Sequence, residues 1–169
     1  MAASSVSNPE SPRGARARRL VVAVGNASRG DDALGPLLID RLRAAGADAA
    51  GGVEWLSDFQ LQVEHALDLV DRDAVLFVDA ARPGHVDGCA LRRIVADDAA
   101  PLWSHALRPQ AVLEVYRRVQ GEQPPPAWLL AIEGASFELG APLSAAAERR
   151  LDAAQVLARD WLARPAAAD

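Results

Sequence analysis

The chain has 169 residues, half of them hydrophobic and about a quarter charged, with a net charge of −5, a size and balance that fit one globular domain with a continuous core. All 18 basic residues are arginine, which excludes lysine Schiff-base chemistry and a lysine-dependent phosphate loop. The arginines form no clustered stripe of the kind nucleic acid requires. The single cysteine, Cys89, excludes an intrachain disulfide and a cysteine-rich metal site and fits a reducing cytoplasm.

Residues 1–19 are rich in Ala, Ser, Pro and Arg, lack an apolar period and read as a flexible tail. Arg18-Arg19 before an apolar stretch has the look of an export signal, but Gly25-Asn26 and Asp31-Asp32 interrupt it too early. No apolar run approaches the roughly 20 residues of a membrane helix. Residues 20–163 read as a single domain and 164–169 as a short C-terminal tail.

Leu20 to Val24, apolar throughout, predicts a strand covered on both faces, as in a parallel sheet. Leu34, Leu37, Leu38 and Leu42 then mark one face of a helix, with Pro36 in its first turn and Gly46 as its stop. A short second strand is expected at Val53 to Leu56, followed by a helix carrying Val63, Ala66, Leu67 and Val70 on one side. Ala74 to Val78 predicts a third strand that runs into Asp79 and a turn at Arg82-Pro83-Gly84. Ala90 to Val95, with arginines at 92 and 93, predicts a strand near an edge or running antiparallel. Pro109 opens a helix with Val112, Val115, Tyr116 and Val119 on one face, and Pro124-Pro125-Pro126 separates it from a fifth strand, Trp128 to Ile132. Ser144 is the expected N-cap of a last helix with Ala147, Leu151, Ala154 and Trp161 inward. Strands and helices alternate without internal repeat, which predicts an α/β fold with a mostly parallel sheet and helices on both faces.

The stretch from Gly25 to Gly35 is the chemical centre of the sequence. Gly25 and Gly30 have P-loop spacing, but Asp31-Asp32 stand where a lysine and a hydroxyl are needed. Ala27 breaks the dinucleotide fingerprint, so no nucleotide is expected. In an open parallel sheet the carboxyl ends of strands line the ligand crevice. Asp32, after the first strand, and Asp79, at the end of the third, fall on that side, and His105 precedes a helix. Two carboxylates and an imidazole in one crevice would suit a divalent transition metal with open positions for substrate or water. The plainer alternatives are a helix cap for Asp32 and an exposed loop histidine for His105. A second chemistry is a serine hydrolase: Ser28, Asp79 and His105 follow the chain order of an α/β-hydrolase triad, although Asn26 replaces the first elbow glycine. Cys89 reads as buried, and His65 and His85 as structural or solvated.

Gly25-Asn26 with Gly30-Asp31-Asp32 and Gly35, Val78-Asp79-Ala80, Ser104-His105-Ala106-Leu107, and Ile132-Glu133-Gly134-Ala135-Ser136-Phe137-Glu138-Leu139-Gly140 occur in the same order as motifs of the nickel-dependent hydrogenase maturation endopeptidases, which the chain resembles from about Leu20 to its last helix. The resemblance implies a three-layer α/β/α sandwich around a twisted five-stranded sheet. It also implies cytoplasmic removal of the C-terminal peptide from the nickel-loaded large-subunit precursor of [NiFe] hydrogenase. Asp32, Asp79 and His105 map onto the family's metal-contacting positions, toward nickel carried by the substrate. Asn26, Asp31 and Glu133 are expected at the substrate, and the protein is expected to be a monomer. Gln60-Leu61 resembles the branch serving NAD-reducing or bidirectional hydrogenases. Some members carry glutamate where this chain has Asp32, and many have glycine at Ala33. A non-catalytic metal-binding chaperone is the further alternative.

Overall fold

Four consecutive residues of the first strand, Leu20 to Ala23, are fully buried. Both faces of β1 (Arg19–Val24) must therefore be covered, which helical crossovers achieve and tight hairpins do not. The computed structural model describes residues 18–47, 52–99 and 107–164. Four more strands follow in it: β2 (Val53–Asp58), β3 (Ala74–Ala81), β4 (Cys89–Ile94) and β5 (Ala127–Glu133). Their order across the sheet is β2-β1-β3-β5-β4. All pairings are parallel except that of β4, which runs antiparallel to β5 at the edge. The strand with two exposed arginines is thus the edge strand its polarity predicts.

Helices α1 (Leu34–Ala44) and α3 (Ala145–Ala163) cover one face. They bury Leu34, Leu38, Leu151 and Trp161 against Val21, Leu76 and Leu130. Helix α2 (Pro109–Gln120) and a 3-10 helix, Val63–Leu69, cover the other with Val112, Leu113, Tyr116 and Leu69 against Leu20, Val22 and Phe77. The result is the expected α/β/α sandwich. Ser144 caps α3 as its sequence position suggests, its hydroxyl accepting from the Ala147 amide at 3.1 Å.

Two inward faces differ from the sequence reading. The segment after β2 is 3-10, and Val63 and Leu67 are 42% and 54% exposed. Its N-terminus is tied by a reciprocal Gln62–His65 cap; Ala66 is buried as expected and Val70 packs against the core, but the tighter three-residue repeat turns Leu69 inward in place of Val63 and Leu67. In α2 the contact is made by Ala111, Val112, Leu113 and Tyr116, leaving Val119 62% exposed.

Arg19, at the start of β1, donates from one guanidinium nitrogen to the carbonyls of Trp161 and Leu162, 2.7 Å each, and from another to that of Arg164. Its charge lies 5.1 Å from the Trp161 ring centre, and Trp161 meets Trp128 edge-on at 5.8 Å. The last helix is pinned to the amino end of the parallel strands.

At the opposite end Gly35 seats the first turn of α1 on the sheet. A Cβ there would lie 2.6 Å from the Val24 carbonyl oxygen and 3.2 Å from that of Val78. Both neighbours are backbone and cannot rotate away. Gly35→Ala should therefore cost about 1–3 kcal/mol by overpacking, read as a lower urea midpoint with an unchanged slope.

Candidate active site

β1 connects through α1 to β2 on one side, and the chain then crosses to β3 on the other, so the sheet's topological switch point lies between β1 and β3. Pairing of β1 with β3 ends at Ala23 with Val78, and Asp79 is the next residue of β3. β1 leaves the sheet at Gly25, whose amide donates to the Asp58 carbonyl at 3.0 Å. Gly25 has φ 145°, and a Cβ on it would fall 1.9 Å from the Asp32 carbonyl oxygen. Only glycine lets the loop fold back here. That fold brings a 3-10 turn, Gly30–Ala33, to the mouth of α1, and the Asp32 carboxylate is fixed there by the Asn26 amide at 2.9 Å. β3 runs three residues past its expected end at Val78, so Asp79 is held by a strand rather than a turn.

The two carboxylates sense each other. Burial, with the Asp32 charge adding to it and the Ala80 amide opposing, pushes the half-buried Asp79 up to about 6. A raised carboxyl pKa costs stability when the group ionises. That cost is absent below about pH 4, where folded and unfolded states both hold the proton. It grows as pH rises and is complete above the folded value of about 6. Asp79→Asn keeps the shape and removes the charge, and should stabilise the protein by about 1–3 kcal/mol at pH 7.5. Urea midpoints for the two proteins should converge near pH 4.

The other expected site residues divide between the site and its supports. Asn26 is at the site, with its side-chain oxygen accepting from the Ser28 amide at 2.9 Å. Asp31 is fully buried and turned away from the crevice. Its carboxylate accepts from the amides of Ala135 (2.6 Å), Ser136 (3.1 Å) and Ser144 (2.7 Å) and from the Ser144 hydroxyl (2.8 Å). Burial would raise its pKa, but these bonds outweigh burial and hold it below the usual range. Asp31 therefore positions the loop after β5 and the start of α3, with every bond directed inward. Glu133 accepts from the Gly84 amide at 2.7 Å and pairs with Arg150 of α3. The Gly84 amide first, and then Arg150, lower its pKa against the effect of burial. It braces the β3–β4 connection beside the crevice. His105 lies outside the described residues, as does most of the expected N-terminal tail. Among the described residues no group of three or more His, Cys, Asp and Glu side chains converges.

Ser28 is exposed, its amide and carbonyl held by Asn26 and by the Gly140 amide. A nucleophile elbow strains its serine backbone, yet Asp71 is the one described non-glycine residue with positive φ. His65 is buried, accepting from the Gln62 amide at 2.9 Å and facing Asp58 at 3.5 Å. His85 is exposed and lines a cleft beside Asp79 together with Arg82, Arg92 and Arg108. Sequence reading passes over these arginines because they come from three separate segments and share no spacing.

The sheet order β2-β1-β3-β5-β4, with helices on both faces, is the fold of a known class. The chain has the fold of the [NiFe] hydrogenase maturation proteases. It superposes on the hydrogenase maturating endopeptidase HybD from E. coli with TM-score 0.64 and 23% identity, covering 83% of this chain and 89% of that one. The [NiFe] hydrogenase maturation protease HycI from Thermococcus kodakarensis KOD1 gives 0.66 and 21%, covering 88% and 94%. An endopeptidase from Escherichia coli gives 0.61 and 25%, covering 84% and 91%. No protein-family model and no curated protein sequence matches the chain.

Proposed function

We propose that this chain is an endopeptidase that removes the C-terminal peptide from the nickel-loaded large-subunit precursor of a [NiFe] hydrogenase. The observation that carries the reading is the Asp32–Asp79 pair, two carboxylates at the switch point of this particular fold, near enough for the charge of one to act on the other. Their mutual repulsion is a cost that a divalent cation relieves. Nickel arrives as part of the substrate, and Asp32, Asp79 and His105 are the residues assigned to contact it. Carboxylate and imidazole ligands suit a nickel ion that keeps open positions.

Bound nickel supplies Lewis acidity toward the scissile carbonyl or an attacking water. The protein supplies the rest. Asp32 is fixed by the Asn26 amide, and Asp79, whose pKa burial pushes up to about 6 in the free protein, is ionised at neutral pH and ready to receive a cation. With no lysine in the chain and Ser28 on unstrained backbone, attack by water is favoured over a covalent intermediate. Gln60 follows exposed Phe59 beyond β2, at the same end of the sheet as the carboxylates. We assign to this segment the choice of precursor, in the branch serving NAD-reducing or bidirectional hydrogenases. No helix of the described residues is long and apolar enough to cross a membrane; we assign the protein to the cytoplasm, acting as a monomer.

The test incubates the protein with nickel-loaded and nickel-free precursor and follows the C-terminal peptide by intact mass. Cleavage of the loaded form alone is expected. Equal cleavage of both would remove nickel recognition, and stoichiometric binding without cleavage would make the protein a chaperone.

A further inference from the structure

On the α2 face a cleft lies over the carboxyl ends of β3 and β5 among the described residues. Alternation along β3 places Val75 and Phe77 on this face, and Asp79 with them. Ala81, Ala90 and Ala131 are too small to fill the space, which is a cleft of about 520 Å³ with Asp79 on its wall, a volume in the range of ligand sites.

The charge in this cleft runs against that of the chain. Net charge is −5, yet Arg82 from the turn after β3, Arg92 from β4 and Arg108 at the start of α2 all line it, with His85. Among the described residues, Arg72, Arg117, Arg118 and Arg150 pair with carboxylates, whereas Arg82, Arg92 and Arg108 do not. Asp79, Ala131 and Ala90 lie opposite one another across three strands, and Arg92 is two residues along β4 from Ala90. Strand spacing of about 4.8 Å and a rise of about 3.3 Å per residue put Arg92 about 12 Å from Asp79 along the backbone. That span is about three or four residues of extended peptide.

We propose that this cleft binds an acidic segment of the substrate polypeptide, with its carboxylate side chains within about four residues of the bond cut beside Asp79. The proposal rests on the peptidase reading above. Three guanidiniums on three separate elements suit several side-chain carboxylates along a strand, whereas a free chain end offers one. Each planar guanidinium can take a carboxylate in a bidentate pair. Arg82, Arg92 and Arg108 are substrate-binding residues that hold the acidic segment, beside the pair that makes the cut.

Fluorescence anisotropy of the full chain tests this with two amidated, labelled peptides, one rich in glutamate and one with glutamine in its place. The glutamate peptide should bind at low salt and the glutamine peptide at least about tenfold more weakly. Arg82→Glu, Arg92→Glu and Arg108→Glu combined should abolish binding. Arg43→Glu, a single charge reversal on the exposed face of α1, should not. The single change Arg92→Glu, with far-ultraviolet circular dichroism as fold control, gives the same direction if the triple variant folds poorly. On nickel-loaded precursor, Arg92→Glu should raise KM more than it lowers kcat. Equal binding of both amidated peptides, or full binding by the charge-reversed cleft, overturns the proposal. So does binding of the glutamine peptide only when its terminal carboxylate is free. A chain that binds the glutamate peptide in this way but cuts no precursor would sink the peptidase reading while leaving the acidic-segment cleft in place.

Discussion

Asp32→Ala and Asp79→Ala proteins should leave a nickel-loaded precursor uncut, with cleavage slowed by about 10²–10⁴-fold. On the proposed reading, removing either carboxylate removes a contact to the substrate's metal. Removing Asp79 also removes the group whose pKa, pushed up to about 6 by burial and its neighbour, suits proton transfer near neutrality. The wild-type kcat/KM should therefore rise with pH through about 6 as Asp79 loses its proton. Asp79→Ala should lose that limb as well as the rate. Asp79→Asn, which keeps the shape and is expected to stabilise the fold, separates a loss of chemistry from a loss of structure. His105→Ala should behave as the aspartate variants do, and Ser28→Ala should cut normally. If all three metal-contact variants process the precursor at the wild-type rate, the site assignment fails. If Ser28→Ala is inactive and a serine-directed reagent labels the protein, the hydrolase triad replaces it.

Asp31→Ala, one residue away, should fail for an opposite reason. Its carboxylate receives four hydrogen bonds from Ala135, Ser136 and Ser144 in a site with no solvent access. Alanine leaves those donors unpaired in the interior, at a cost of about 3–5 kcal/mol. That is a large share of the roughly 5–15 kcal/mol by which domains are stable, and the urea midpoint should fall accordingly. The pH dependence has the reverse sign to that of Asp79. A lowered carboxyl pKa stabilises above the unfolded value of about 4 and loses its contribution as pH falls through the folded value. Wild type and Asp31→Ala should thus differ most near neutrality and converge in acid. Adjacent aspartates would then carry separable duties, one toward the fold and one toward the substrate.

The sequence carries the sheet plainly because its strands are either continuously apolar, as in Leu20 to Val24, or polar at the edge, as in β4 with Arg92 and Arg93. Periodicity also locates α1 and α3, whose buried leucines and alanines keep helical spacing. It misplaces Val63 and Leu67 while getting Ala66 right, since apolar spacing alone does not distinguish a 3-10 turn from an α-helix there. The Asp32–Asp79 pair follows from strand ends alone. The roles of Asp31 and Glu133 do not, because their partners Ser144, Ser136, Gly84 and Arg150 come from distant segments. Nothing local marks a carboxylate as turned inward.

The bonds from Arg19 to the carbonyls of Trp161, Leu162 and Arg164 have a practical corollary. They bring the first strand and the last helix together at the end of the sheet away from Asp32 and Asp79. A purification tag joined directly to Arg18 or Arg164 would start from the end of the sheet opposite Asp32 and Asp79. A few added residues could bridge Arg19 and Arg164 in a circularly permuted chain reopened at the exposed Gly121–Gln123 turn. The catalytic end would keep its continuous backbone while the ends of the chain moved elsewhere.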